Sequence, residues 1–321
     1  MKMKAVVVSE AGGTDQLVYK EVERPKIKSG WSLVKVKGFG INHSEIFTRE
    51  GKSPSVEFPR ILGIECVGVI EETTDPLHFP IGHKVISLMG EMGRDFDGSY
   101  AEYVLLPNTQ LYSVETELSW KELATIPETY YTAFGSMQNL QITEDDRVLV
   151  RGGTSGVGIA FLNLLKGKYP SMFVAGTTRN LNKTNLLLNS GFDAIVEEKD
   201  GSLQTEETFD KLLELIGPAT IKDSFNYLNE GGILCSTGQL GGKWYLEEFD
   251  PIIDIKRNSY LTSFYSGNVA EDRINELLTY IADNKVKVEP EKVFRLDEIQ
   301  QAHEYLESSH SFGKVIVLVE E

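Results

Sequence analysis

The sequence predicts an α/β protein in two parts: a strand-rich, β-barrel-type domain and a doubly wound parallel-sheet domain. Three observations carry this. Roughly the first 120 residues hold short strand patterns separated by glycine turns. From residue 121 strands alternate with helices. The alternation contains a strand that runs through a glycine-rich turn straight into a helix, RVLVRGGTSGVG at 147–158. The chain has 321 residues, enough for two domains of ordinary size.

Taken in order, MKMKAVVVSE reads as an edge strand, since its apolar run is too short for a signal peptide. SLVKVKGFGI, CVGVIEE, HKVISLM and SYAEYVLL continue the strands, with Gly12-Gly13, Gly30, Pro76, Gly90 and Gly98 in the turns between. One helix falls around Ser44–Thr48. WKELATIPETYYTAFGSMQNL gives two helical pieces broken near Pro127. Then come the strand RVLVR, a helix from Val157, the strand MFVAGTT, a helix over Leu181–Asn189 and the strand AIVE. TFDKLLELIG has helical spacing at Phe209, Leu212, Leu213 and Ile216, but the alternation calls for a strand ending at Gly217, and the strand is preferred. A helix follows from Pro218 to Leu228, because proline suits a first helical position. GILCSTG and YLTSFYS are strands. Glu271–Asn284 is a helix with Ile274, Leu277, Leu278 and Ile281 on one face. LDEIQQAHEYLESS is a helix with Asp297 as its N-cap, and GKVIVLVE closes as a strand.

Composition narrows the function. The net charge of −16 argues against nucleic acid as a partner, and no apolar run approaches the roughly 18 residues of a membrane span. A cytoplasmic location follows as the default. Cys66 and Cys235 lie in apolar strands and read as buried, reduced thiols; two cysteines build neither a disulfide framework nor a four-cysteine zinc lobe. The histidines at 43, 78, 83, 303 and 310 show no ligand spacing.

The glycine turn points to a dinucleotide. Gly153-x-Ser155-x-x-Gly158, with Thr154, Gly156 and Val157 between, would offer backbone N–H groups and a helix N-terminus to a diphosphate. Ser155 replaces the middle glycine of the usual pattern, and its hydroxyl could donate to a phosphate. The competing reading is a tight turn without a ligand. About 20 residues on, where an acid would hold the ribose of NAD, the chain reads GTTRN at 176–180. Thr177, Thr178, Arg179 and Lys183 suit a 2′-phosphate, so NADPH is the preferred cofactor; the competing reading of Arg179 is a solvated loop arginine.

At this point the chain resembles a known family. GFGINHSEIFTREG, RILGIECVGVI, IGHKVISL, GSYAEYVLLP, PETYYTAFGS, the glycine turn, GTTRN and LDEIQQAHEYLESSHSFGKVIVLV, in that order and spacing, resemble the zinc-independent medium-chain dehydrogenase/reductases of the quinone oxidoreductase, zeta-crystallin-like, branch. The resemblance implies a GroES-like catalytic domain over 1–121 and 263–321 and a Rossmann NADP-binding domain over 122–262. It implies a homodimer or homotetramer. It places Asn42 near nicotinamide and substrate, Thr129 at the carboxamide, Gly238, Gln239 and Phe264 on the nicotinamide side, and Gly313 and Lys314 against the cofactor.

Zinc-dependent relatives use three ligand positions that here read Asn42, Ile64 and Glu128, with Glu65 beside Ile64. Asparagine is a poor zinc ligand and isoleucine none, so no catalytic zinc is expected. Without zinc, reduction of an electrophilic acceptor remains feasible, and a quinone or α,β-unsaturated carbonyl fits. The tyrosine that relatives carry five positions after this asparagine is Phe47 here. Tyr130 or Tyr131 could donate a proton in its place, or read as core, with water as the donor. His43 is the one histidine beside the expected cleft. A rival reading is an NADPH-binding sensor or partner protein with little turnover; a zinc alcohol dehydrogenase is a third.

Overall fold

The computed structural model describes residues 1–319 and divides into two compact units. The first comprises Met1–Glu128, Gly267–Leu278 and the chain from Val288; the second comprises Thr129–Ser266 and Thr279–Lys287.

In the first unit the chain forms β1 (Lys2–Val8), β2 (Val18–Glu23), β3 (Trp31–Ile41), α1 (His43–Arg49), β4 (Arg60–Ile61), β5 (Glu65–Thr73), β6 (Lys84–Leu88), β7 (Tyr103–Pro107), β8 (Tyr112–Ser113) and α2 (Trp120–Leu123). The helix α3 (Pro127–Asn139) leads into the second unit. There follow β9 (Val148–Arg151), α4 (Gly156–Lys168), β10 (Val174–Thr178), α5 (Thr184–Ser190), β11 (Ala194–Lys199), β12 (Ser202–Leu203), β13 (Phe209–Glu214), α6 (Ile221–Ser224), β14 (Leu228–Ser236), α7 (Pro251–Asp254) and β15 (Tyr260–Ser263). The chain closes with α8 (Glu271–Asp283), β16 (Lys292–Arg295), α9 (Ile299–Glu307) and β17 (Val315–Leu318).

The first unit holds a three-stranded sheet, β2-β1-β4, and a mostly antiparallel seven-stranded sheet in the order β16-β17-β3-β5-β6-β8, with β7 also on β3. Alternating apolar residues of both sheets share one core with α9, through Val6, Val36, Phe39, Tyr100, Ala302 and Val315. The first strand, expected at an edge, is a middle strand: it pairs on one side with β2 and on the other with β4. Its run Ala5–Val8 is buried, as a middle strand requires.

In the second unit the parallel strands run β11-β10-β9-β13-β14-β15, with β12 antiparallel on β11. Numbered by appearance, the parallel strands lie 3-2-1-4-5-6. That is the order of doubly wound dinucleotide-binding sheets, whose ligand crevice opens where the order reverses, here between β9 and β13. The ambiguous TFDKLLELIG segment is the strand β13. It is flanked on both sides, and Leu212 and Leu213 are both fully buried, so its apolar residues need not alternate.

Several boundaries differ from the sequence reading. No helix starts at Pro218: the Glu214 carboxylate accepts from the N–H groups of Ile216 and Gly217, and Gly217 O accepts from Thr220 N, so 214–220 is a turn before the short α6. Asp297 is no N-cap, because its carboxylate is drawn to the Arg295 guanidinium, and a 3₁₀ turn at Leu296–Glu298 precedes α9. The helix expected from Leu181 opens with a 3₁₀ turn, Leu181–Lys183, before α5. Glu320, the end of the expected closing strand, lies outside the described residues. Both cysteines are buried free thiols.

Candidate active site

In the first unit, sheet register builds a buried polar cluster. Val315 of β17 pairs with Ile41 of β3, so Lys314 and Asn42, one residue beyond each, come together across the ladder. β5 lies on the same strand β3 and begins at Glu65. Lys314 Nζ donates to Asn42 Oδ1 at 2.7 Å and to Glu65 Oε1 at 2.6 Å. Asn42 Nδ2 donates to the same Glu65 oxygen at 3.1 Å and lies 3.4 Å from Glu45 Oε1. The other Glu65 oxygen accepts from the backbone N–H of Glu128 at 2.6 Å, a helix-start donor with no partner inside its own helix. Gly40 is what makes room, because a Cβ there would stand 2.1 Å from Lys314 Cε and 2.2 Å from Glu65 Oε1. These demands explain why Asn42, at the N-cap of α1, makes no side-chain capping bond.

Glu45 was not anticipated. It is fully buried, one oxygen has no hydrogen-bond partner, and burial, with the nearby Glu65 charge, pushes its pKa up to about 8. Its position three residues after Asn42, one helical turn on, was the available signal. Behind it Tyr100 Oη meets His303 Nε2 at 3.0 Å, and His303 Nδ1 meets Arg49 Nη1 at 3.1 Å. Arginine only donates, so Nδ1 accepts and the ring proton sits on Nε2. Burial and the Arg49 charge push His303 down to about 3. Arg49 continues to both oxygens of Glu307 at 2.8 and 2.9 Å. His43, half-buried, is also shifted down by burial, with Glu307 opposing.

This donor set does not fit a zinc ion. Asn42 turns its only oxygen to an ammonium, Ile64 is a buried hydrocarbon, and the cation among these groups is Lys314. Among the described residues no three His, Cys, Asp or Glu side chains are grouped to hold a metal.

In the second unit the glycine turn joins β9 to α4. Gly152 takes φ +94°, a conformation natural only to glycine, and its N–H donates to Thr177 Oγ1 at 3.0 Å. Ser155 caps α4: its hydroxyl donates to Gly152 O at 2.8 Å and accepts from Gly158 N at 3.1 Å. The hydroxyl proton predicted for a phosphate is therefore engaged, which leaves phosphate binding to the first-turn N–H groups of Gly156 and Val157. A Cβ on Gly158 would lie 2.7 Å from Gly152 O, and one on Gly153 would press on β10 at 3.2 Å from Gly176 Cα. Gly158→Ala is expected to cost about 1–3 kcal/mol of stability and to weaken nicotinamide-nucleotide binding, read from thermal melts and cofactor titration. These glycines, the α4 N-terminus and its dipole fit a dinucleotide diphosphate.

Beyond β10, Thr178 donates to Asn180 O and accepts from Asn180 N, so its hydroxyl is also engaged. Arg179 is exposed, and Lys183 is close enough that burial and then the Arg179 charge lower its pKa. Thr129 is buried, Gly238 N bonds Glu214 O, Gln239 is exposed and Phe264 leans on Tyr131 at 5.8 Å. Gly313, at φ +56°, turns the chain into Lys314. Tyr130 is not a free proton donor: its hydroxyl donates to Lys287 O at 2.9 Å and accepts from Asn163 Nδ2 at 3.1 Å.

Comparison with known proteins agrees with this construction. Residues 28–116 match the alcohol dehydrogenase GroES-like domain and residues 190–317 match the zinc-binding dehydrogenase domain. The chain is 25% identical to the acryloyl-coenzyme A reductase of Metallosphaera sedula over 98% of this chain and 99% of that protein. It is 26% identical to the chloroplastic NADPH-dependent alkenal/one oxidoreductase of Arabidopsis thaliana over 98% of this chain and 79% of that one. Among solved structures, the quinone oxidoreductase of Coxiella burnetii shares the fold at a TM-score of 0.84 and 24% identity, with both chains covered in full. A thermostable alcohol dehydrogenase of Pyrobaculum aerophilum shares it at 0.85 and 24%, over 99% of this chain and 100% of that one. The chain belongs to the medium-chain dehydrogenase/reductase family, as an oxidoreductase built of a GroES-like domain and a nicotinamide-nucleotide-binding domain.

Proposed function

We propose that the protein is an NADPH-dependent reductase that transfers hydride to a quinone or an α,β-unsaturated carbonyl without zinc. The observation that carries this is the Lys314 ammonium seated between Asn42 and Glu65. A fixed cation of this kind stabilises charge that develops on an acceptor oxygen, but it does not coordinate an alkoxide as a metal does. A bound dihydronicotinamide supplies the hydride. The glycine turn and α4 hold the diphosphate, while Arg179 and Lys183 meet the 2′-phosphate. Relatives named as quinone and alkenal/one oxidoreductases support the acceptor class. A cytoplasmic homo-oligomer completes the reading, and no helix among the described residues is long and apolar enough to cross a membrane.

Mixing the protein with NADPH and a panel of quinones, enones and enals should give acceptor-dependent loss of absorbance at 340 nm, with substoichiometric zinc by metal analysis. A full panel without turnover refutes the reading, as does activity that depends on added zinc. Arg179→Ala is expected to raise KM for NADPH by about 10- to 100-fold, the loss of a charge-assisted contact, and to change NADH little. Equal effects on both cofactors would remove the 2′-phosphate role. A second reading, an NADPH-binding partner protein with little turnover, is favoured by the engaged hydroxyl of Tyr130. It predicts tight NADPH binding and hydride transfer at background rate.

A further inference from the structure

The exposed apolar side chains are unevenly spread. Eight of the seventeen large ones among the described residues lie between Leu240 and Tyr265, in the second unit. Ile252 and Ile253 of α7 are 89% and 68% exposed, and Tyr245 is 80% exposed. At the roughly 150–250 Å² that a large side chain can bury, the eight expose on the order of 800 Å². About 800 Å² is what each partner contributes to an interface of standard size. The edge strand β15 runs through this stretch. It pairs with β14, and no strand covers its other side. Ile233–Cys235 of β14 are buried, yet Tyr260 and Leu261, on opposite faces of β15, are 62% and 37% exposed. The other sheet edges are guarded. β2 carries Lys20, Glu21 and Glu23, and β16 carries Lys292 and Arg295. β4, β8 and β12 are two residues long, and β7 ends at Pro107. Charge, proline and brevity are devices that stop edges from pairing. β15, with the sequence Tyr-Leu-Thr-Ser, has neither charge nor proline. From Asn258 to Ala270 no residue is charged, in a chain that is 25% charged.

We propose that β15 and the apolar surface beside it are the contact between two copies of this chain. The two β15 strands pair antiparallel about a two-fold axis, and the parallel sheets continue into one another. The assignment rests on the homo-oligomer reading given above and names its surface. Each copy carries a net charge of −16, so two copies repel wherever charge faces charge. The charge-free stretch is where they can approach. A two-fold contact sets the same patch of both copies together, so the unguarded edge meets its own like and both ladders are satisfied at once. An extended peptide would gain a ladder of four residues and little else. A second copy also brings its own Ile252, Ile253 and Tyr245 to be covered.

The test is sedimentation equilibrium of the full chain at micromolar concentration, joined to amide hydrogen exchange. The wild type should have at least twice the chain mass of 35.9 kDa. Leu261→Lys and Ile252→Glu set like charges against each other across the axis and should bring the mass down to 35.9 kDa, with the far-UV circular dichroism of the wild type. Leu77→Lys, at a leucine 90% exposed in the first unit, should leave the mass unchanged. In the assembled wild type, the amides of 258–266 that face away from β14 should exchange at least about 100-fold more slowly than after dissociation by dilution. This measurement needs no variant, so it decides the matter even if a variant fails to fold. A wild type of 35.9 kDa overturns both the contact and the homo-oligomer, and protection of 258–266 in such a monomer would give the edge to another occupant. An assembled wild type whose 258–266 amides exchange equally fast after dissociation, or whose mass survives both charge variants, overturns the β15 contact while the homo-oligomer stands.

Discussion

Arg151→Met should destabilise the second unit by about 3–5 kcal/mol, the cost of stripping a buried carboxylate cluster of its cation. Arg151 ends β9, one residue before the glycine turn, and is completely buried. Its guanidinium donates to Asp223 Oδ2 at 2.9 Å, Ser224 Oγ at 2.8 Å, Gly201 O at 2.8 Å and, at 3.3 Å, Glu198 Oε1 and Thr220 O. Glu214 stands 3.9 Å from its Nε; burial raises the pKa of that acid and Arg151 opposes the rise. One planar group therefore ties β9 to the ends of β11 and β13 and to α6, directly under the turn. Lysine has neither the fork geometry nor the number of donors, so Arg151→Lys should recover only part of the loss. Urea unfolding checks this. An Arg151→Met midpoint equal to wild type would show that the cluster contributes nothing net.

Glu45→Gln should abolish a loss of stability that the wild type shows on the alkaline side. Between the unfolded value of 4.5 and the folded value of about 8, the native protein keeps a proton that the unfolded chain has released. Stability therefore falls as pH rises through this window and levels off above it, by an amount on the order of 3–5 kcal/mol. His303 acts in the opposite sense. Its folded value of about 3 lies below the unfolded 6.5, so its contribution is whole above 6.5 and is lost as pH falls toward 3. Between 4.5 and 6.5 the two effects oppose one another, which places the stability plateau in mildly acidic solution. Thermal melts from pH 5 to pH 9 should separate them: Glu45→Gln flattens the fall above pH 6.5 and keeps the acid limb. An unchanged alkaline limb in that variant would show that Glu45 is ionised in the native protein.

What the sequence made legible was local. The strand–glycine–helix passage and the α/β alternation are patterns of near neighbours, and they hold in β9, α4 and the strands that follow. The helical spacing of TFDKLLELIG misleads because a strand covered on both faces loses its alternation. Asn42 and Lys314 could be named singly. Their meeting depends on the pairing of β3 with β17, across 272 positions of chain, and no periodicity reports such a pairing. Tyr130 looked like an available hydroxyl because its acceptor, Lys287 O, is distant in sequence. Arg151 reads as an ordinary strand-end cation, and only the convergence of Glu198, Glu214 and Asp223 marks it as interior.

The late pairing of β17 with β3 also sets an order of assembly. All but the short return Thr279–Lys287 of the second unit lies in one stretch, so its six parallel strands can associate while the rest of the chain is still being made. The first unit cannot finish then. Until β17 arrives, the side of Gly38–Ile41 that it covers is open, and Arg49 lacks both His303 and Glu307. A nascent chain must therefore hold a nearly complete N-terminal sheet open across the synthesis of an entire inserted domain. Its exposure to wrong partners grows with every second of delay.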